Sequence, residues 1–501
     1  MFDFQFKGWL TPYINDLIRN GAESKINDNE FIKREVNRFI NSSKRHDMFD
    51  GHDYYLGRHD ILYRKRTVIG EDGELTEVTN LPNARLVNNQ YSKMVDQKVN
   101  YLLGKQIVVS SENDAYTKLL GDIFNADFDK LINKIGTDSL NCGIGWLYVT
   151  YDNKGKLLFK RLKPWQIIPG WSNEEHTELD YAIRVYQMVE ELPRTEKLIT
   201  KVEVFDKKGI TRFVLDGGSL IPDGTDWRVP YFYADNTGLS WNKIPLIPFK
   251  ADSNELPLLK RVKSLQDALN LMLSNFDNNM QEDVRNTILV LKNYDGENLG
   301  EFRRNLAAYG AVKVRTADGS NGGVETLNIE VNSTNYNTII DLLKKAIIEN
   351  AMGYDAKDDR IGSNANQLNI QSMYSDIDLD ANKMETEYQS SLKSLMWFVN
   401  AYLAHTNKGN FESEDVEFIF NRDMLINESE VIENCIKSLD MLSDETVVAM
   451  HPWVTDIQKE LERIKKQRET EAGDSYDDTL KHTHDKIDAP DNEVGDDNEE
   501  K

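Results

Sequence analysis

The chain has 501 residues, 40% hydrophobic and 29% charged, which is enough for about two or three compact units with a sizeable core. Its formal charge is −24, and Thr470–Lys501, with twelve acids and three bases, carry −9 of it. That balance argues against a protein that grips nucleic acid by neutralising phosphates, which needs clustered Lys and Arg, but not against one that lets DNA pass without sticking. No apolar run approaches the ~18 residues of a membrane span. The start, MFDFQFKGWL, is too short and too broken by Asp3 and Lys7 for a secretory signal, so a cytoplasmic setting without a membrane is expected. Cys142 and Cys435 sit in apolar contexts and read as small core residues rather than a disulfide.

The first 40 residues read as helical, with Phe31, Ile32, Val36, Phe39 and Ile40 as an apolar stripe. His52–Arg66 is dense in aromatic and basic residues. It could touch nucleic acid, but a helix packing its rings inward and its charges outward explains it as well. A hairpin-like stretch over 70–80 precedes a helix carrying Tyr91, Met94, Val95, Val99 and Leu102, with Gly104 as its stop. Two more helices are expected over 115–141. From Gly143 to about 250, short β-branched and aromatic runs separated by DNKG, DKKG and DGG turns predict a β-rich unit. Pro245 and Pro248 place its last run at an edge or outside the sheet.

Leu258, Val262, Leu265, Leu269, Met272, Phe276 and Met280 then mark a helix of about 25 residues, or ~37 Å. The spacing fits a strut in an assembly or an ordinary core helix. Strand-like runs at NTILVLKNY, GAVKVRT and VETLNIEV form a small α/β insert, and a second helix over 336–351 is predicted to bury Ile339, Leu342, Leu343, Ala346 and Ile347. A polar loop, GYDAKDDRIGSNANQ, leads into a long helix over about 370–405 with Ile377, Ala381, Met384, Tyr388, Leu392, Leu395, Val399 and Tyr402 in register. FESEDVEFIFNRDML reads as one strand, helices are expected over 428–442 and 454–469, and the acidic tail 470–501 holds too few apolar residues to fold.

No phosphate-binding glycine loop, His-Glu-x-x-His, zinc-spaced cysteine pair or Gly-x-Ser-x-Gly elbow is present, so no catalytic residue, metal or cofactor is assigned. His482 and His484 lie in the acidic tail without further ligands. The acidic pair Asp358 and Asp359 is of a kind that can hold Mg²⁺, but with Lys357 and Arg360 beside it the segment reads as a self-neutralising solvated loop.

Seven phrases in a shared order, YYLGRHDIL, NNQYSKMVDQKVNYLLGKQI, GIGWLYVTYD, IPLIPFKADSNE, LGEFRRNLAAYGAVKV, MGYD…GSNANQ and VVAMHPWVTDIQKELERI, resemble the portal family of long-tailed phages that infect Gram-positive bacteria. The resemblance covers roughly 30–470 and implies an α+β portal fold. Its parts would be a wing (1–252), two stem helices (253–283 and 334–351), a clip (284–333), a tunnel loop (352–369), a long wing helix and strand (370–427), and a crown (428–469). It further implies a homo-oligomeric ring, a 12-mer of about twelve copies, forming a conduit for double-stranded DNA at one capsid vertex during packaging and ejection. Implied partners are the terminase large subunit, a head-tail adaptor protein, and the major capsid and scaffold proteins, with assembly in the host cytoplasm. Candidate DNA contacts are Lys357, Asp358, Asp359, Arg360, Asn364 and Asn366 of the tunnel loop, a near-neutral polar set suited to touching phosphates without trapping them. Lys260, Arg261, Lys263, Lys344 and Lys345 would form a basic band on the stem, and Arg303, Arg304, Lys313 and Arg315 the motor and adaptor face of the clip. Two alternatives are a non-enzymatic capsid scaffold or adaptor, and a metal-dependent nuclease built on Asp358 and Asp359.

Overall fold

The computed structural model describes residues 26–69, 73–79, 81–191, 195–234, 237–283, 288–292, 323–327, 333–355, 367–422, 428–439, 441–454, 457 and 459–468. They are mixed helix and sheet, as an α+β class requires. They belong to two compact units, one within Met1–Asp355 and Tyr374–Asp423, the other within Ala356–Met373 and Met424–Lys501.

Among the described residues, five α-helices come first in the first unit: α1 (Asn29–Ile40), α2 (Ser43–Tyr55), α3 (Gln90–Leu103), α4 (Asp114–Ile123) and α5 (Ala126–Cys142). Each starts where a short polar side chain can accept an N–H of its first turn: Asp28, Ser42, Asn89, Asn113 and Asn125. Of the 40 residues expected to be helical, 1–25 lie outside the described residues; α1 begins at Asn29, and Ile40 is exposed at its last turn rather than part of the buried stripe. Gly104 does stop α3, in a right-handed conformation.

Two larger sheets dominate the β-rich stretch. One is a three-stranded sheet of order β14 (Leu246–Lys250), β4 (Ile144–Tyr151), β5 (Leu157–Leu162). Pro248 therefore lies on an edge strand, where its missing N–H costs no ladder bond. The other runs β10 (Ser219–Pro222), β9 (Gly209–Asp216), β8 (Glu196–Asp206), β7 (Leu179–Glu191), β6 (Ile167–Trp171), with β11 (Arg228–Val229) also on β9. The DGG turn joining β9 to β10 puts Gly217 and Gly218 at φ +54° and +80°, the left-handed region that glycine enters freely. Smaller pairs are β1 (Thr67–Ile69) with β2 (Leu75–Glu77), and β12 (Phe232–Ala234) with β13 (Thr237–Leu239). The run at 417–419 is a strand, β17 (Glu417–Ile419), and its partner is the unanticipated β3 (Val108–Ser110).

Where α5 meets β4, Gly143 (φ +83°) lies so close to Glu255 that a Cβ there would stand 2.0 Å from the Glu255 carbonyl. The Glu255 carboxylate is buried among Lys44 (2.5 Å), His176 Nδ1 (2.7 Å) and Lys250 (3.4 Å). Burial alone would raise its pKa, but Lys44, His176 and Lys250 outweigh that and hold it well below the usual carboxylate range. Immediately beyond this knot starts α6 (Leu259–Asp283). It packs with α7 (Ser333–Asn350), and the chain between them contains the antiparallel pair β15 (Ile288–Lys292) and β16 (Gly323–Leu327). The buried face of α7 holds Ile340 and Ile347; Ile339 and Leu342, expected inside, are 42% and 64% exposed.

The long helix α8 (Gln367–His405) buries all eight residues of its expected stripe. Tyr388 at its centre meets Phe249 of β14 at 4.9 Å and the Ser139 hydroxyl of α5 at 3.0 Å, so α8 covers the three-stranded sheet. Both cysteines are buried and free. In the second unit, α9 (Glu428–Ser438) ends before 442 and packs on α10 (Asp444–Met450), a helix the sequence reading lacked, with Cys435 against Val447. The tail 470–501 lies outside the described residues.

Candidate functional site

The buried face of α6 carries more than its apolar stripe. Gln266, Asn270, Ser274 and Asn278 recur every four residues and are each at most 1% exposed. Four uncharged polar side chains on one buried helix face need partners, because an unsatisfied buried polar group costs about 1–3 kcal/mol. The partners are backbone groups of the segment before α3. Ala84 N–H donates to Asn278 Oδ1 (2.7 Å), Leu86 N–H to Ser274 Oγ (2.9 Å), Asn88 N–H to Asn270 Oδ1 (2.9 Å) and Tyr91 N–H to Gln266 Oε1 (3.1 Å). Alternate residues of an extended chain are ~6.6 Å apart, and one helical step of four residues is ~6.0 Å, so the two ladders stay nearly in register over three rungs.

The ladder fixes a proton as well. His59, fully buried, has Nε2 3.0 Å from the Tyr54 carbonyl, which can only accept, so Nε2 carries the hydrogen. Its Nδ1 then accepts from Asn270 Nδ2 at 2.8 Å. Burial pushes the His59 pKa down, keeping the neutral ring that this arrangement requires. A proton on Nδ1 would face the Asn270 amide donor, and turning that amide would abandon Asn88 N–H.

The bases at the start of α6 are turned toward acids of the same chain. Lys260 pairs with Asp47 (2.6 Å) and Arg261 with Asp252 (3.2 Å) and Asp380 (3.0 Å). Lys263 is bonded to Asp60, to the Tyr54 hydroxyl (2.8 Å) and to Asp267 (3.2 Å); burial opposes its charge, but these partners raise its pKa above the usual lysine value. On α7, Lys344 lies 3.7 Å from Asp341, whereas Lys345 is exposed. The basic residues of the N-terminal cluster are similarly engaged: Arg58 with Asp53, Lys65 with Glu77, Arg64 with Asn275, and Arg66 with the Pro82 carbonyl. The His52 ring packs at a tilt against Trp165, centroids 4.6 Å apart, and His59 and Tyr54 are buried, as the packing alternative for this segment expected, although Tyr63 is exposed.

The residues just before and after the polar loop sit on one face of α3. Lys98 Nζ, 4% exposed, donates to the Met352 carbonyl (3.0 Å) and to Asp380 Oδ2 (2.7 Å). Gln97 Nε2 donates to the Tyr354 carbonyl (2.9 Å), and the Tyr354 ring lies 4.5 Å from that of Tyr374. Tyr101 donates to Asp378 at 3.0 Å. Met352 turns the chain with φ +52°. Burial lowers the Lys98 pKa despite Asp380, while Lys98 and Arg261 overcome burial to lower that of Asp380, so the pair is held as an ion pair by two cations on one carboxylate.

The candidate loop residues Lys357, Asp358, Asp359, Arg360, Asn364 and Asn366 lie outside the described residues, as do Arg303, Arg304, Lys313 and Arg315. Sequence reasoning missed Gln97, Lys98, Asp380 and the α6 amides. A signal existed for the last: Gln, Asn, Ser and Asn at strict four-residue spacing, beside an apolar stripe, in a helix whose other polar positions are largely charged. Among the described residues no group of His, Cys, Asp and Glu could hold a metal ion, and no helix is long and apolar enough to cross a membrane.

The family model for phage portal proteins of the SPP1 Gp6-like type matches residues 40–474. The portal protein of Bacillus phage SPP1 is 26% identical over 474 residues, covering 91% of this chain and 90% of the relative. The portal protein of Clostridium phage phiCD119 is 24% identical over 451 residues, covering 87% and 96%. The chain belongs to the phage portal protein family, a family of structural virion components, and its function is that of a phage portal protein. Both relatives come from phages of Gram-positive hosts, as the sequence phrases implied.

Proposed function

We propose that copies of this chain form a closed ring, a 12-mer of about twelve subunits, at one capsid vertex, through which double-stranded DNA enters and leaves. The observation that carries this reading is the family match across 40–474 together with the α6–α7 pair interrupted by the β15–β16 insert. In this reading α6 and α7 are the stem, the insert between them is the clip, 352–369 is the tunnel loop, 1–252 with α8 is the wing, and 428–469 is the crown. The subunit has no enzymatic role; a terminase motor supplies the energy and docks on the clip through Arg303, Arg304, Lys313 and Arg315, later replaced by a head-tail adaptor. The wing and crown meet capsid and scaffold proteins, and the ring assembles in the host cytoplasm.

The intrachain pairing of Lys260, Arg261 and Lys263 leaves little free positive charge on that end of the stem, so among the stem bases Lys345 is the better candidate for a channel-facing cation. A chain of net charge −24 repels DNA at long range, although salt screens this beyond ~8–10 Å. DNA contact is therefore assigned to the mixed-charge loop. Deleting residues 356–361 should leave ring formation intact and impair DNA packaging or retention. Normal packaging and retention in that variant would defeat the loop assignment. Reversing Arg303 and Arg304 to Glu should weaken terminase docking; unchanged motor affinity would remove them from the interface.

A further inference from the structure

We infer that Lys98 is a positioning residue for DNA passage: it holds the root of the polar loop and ties that root to the start of α6 through Asp380. The inference rests on the reading of 352–369 as the tunnel loop. The Met352 carbonyl lies just past the end of α7, where helix carbonyls lack intrahelical partners and a cation is favoured. Lys98 supplies that cation from α3. Its second partner, Asp380, also accepts Arg261 of the first turn of α6, so one carboxylate joins α3, α6 and α8. Gln97 adds a second bond to the root, at Tyr354.

Three features mark this as a built clamp rather than a chance surface contact. Lys98 is buried, and a lysine is rarely kept in the interior unless it is paired. Gly353, between the two held carbonyls, passes so close to α3 that a Cβ would stand 2.6 Å from Met94 Sδ. Met352 adopts a left-handed φ that a methionine takes only when its surroundings impose it. A displacement of the first turn of α6 would therefore be felt at the loop root through Arg261, Asp380 and Lys98 in turn.

The test uses full-length protein assembled as rings, with Lys98→Met, Lys98→Arg, Gln97→Met and the 356–361 deletion compared. The amides of Ala351, Met352 and Gly353 are hydrogen-bonded to the last turns of α7, so their hydrogen exchange reports on the root directly. Lys98→Met should speed that exchange about tenfold without preventing ring formation, and should lower the amount of DNA packaged or retained per particle. Lys98→Arg, which keeps a charged donor, should recover most of both losses, which a general packing defect would not. Gln97→Met should show the same pattern more weakly, and it stands in if Lys98→Met does not fold. Unchanged root exchange in the Met variants overturns the clamp. Faster exchange with normal packaging, where the deletion abolishes packaging, overturns the positioning role while leaving the loop reading in place. A deletion without effect on packaging instead removes the loop reading, and with it the positioning role.

Discussion

The two helices that flank the β15–β16 insert are held by the rest of their subunit in opposite ways. α6 buries Gln266, Asn270, Ser274 and Asn278 against the backbone of 84–91, and its three N-terminal bases are each neutralised by acids of the same chain. α7 buries Ile340 and Ile347, leaves Ile339 and Leu342 uncovered, and keeps Lys345 exposed. Directional amide bonds fix α6 in one rotation and one axial position, because a slip of one residue would break every rung. The apolar contacts of α7 set no such register, and its directional bonds lie toward its ends, from Asn279 Nδ2 to the Tyr336 hydroxyl and from Lys98 to the Met352 carbonyl just past its last turn. The subunit thus combines one anchored helix with one whose exposed apolar side chains, Ile339 and Leu342, are not covered by the described residues.

The largest expected effect is on the anchored helix. Asn270→Leu strands the Asn88 N–H and removes the donor to His59 Nδ1, and should cost about 3–5 kcal/mol in a urea titration of the subunit. A loss below about 1 kcal/mol would mean that water or rearrangement satisfies those groups. Next is Ile347→Ala on α7, a buried apolar truncation expected to cost about 2–5 kcal/mol, with no change in hydrogen exchange along 84–91.

Acid should then separate two contributions. His59 has a folded pKa below its unfolded value of 6.5, so the unfolded state binds more protons as pH falls past 6.5, and stability declines from there. Glu255 has a depressed folded pKa, so its contribution is complete above the unfolded value of 4.5 and is lost as pH falls below it. A stability profile flat from pH 7 to pH 5 would contradict the neutral, buried His59. The smallest effect is expected at Leu342→Gln, within about 0.5 kcal/mol for the subunit, since an exposed side chain loses little. A large loss there would show that this face is covered within the subunit.

How much of this was legible beforehand follows from what a pattern can carry. The α8 stripe could be read residue by residue because eight apolar positions at helical spacing have one interpretation. The α7 face was displaced from Ile340 to Ile339 and Leu342 because Ile339, Ile340, Leu342 and Leu343 are all apolar, and only the position of α6 selects among them. Met280, at the end of the expected α6 stripe, is likewise 48% exposed. The polar ladder was hidden more deeply: uncharged polar residues on a helix normally mark its wet side, and their partners are backbone groups about 175–194 positions away. Lys260, Arg261 and Lys263 were visible as charges, but their acids at Asp47, Asp60 and Asp380 come from distant segments.

The central claim is a ring that conducts DNA, and its most direct test is electron microscopy of the purified full-length protein, with class averages viewed along the symmetry axis. The account predicts a closed ring of about twelve subunits around an open channel. Only monomers, under many buffers and with the motor and adaptor proteins present, would contradict it.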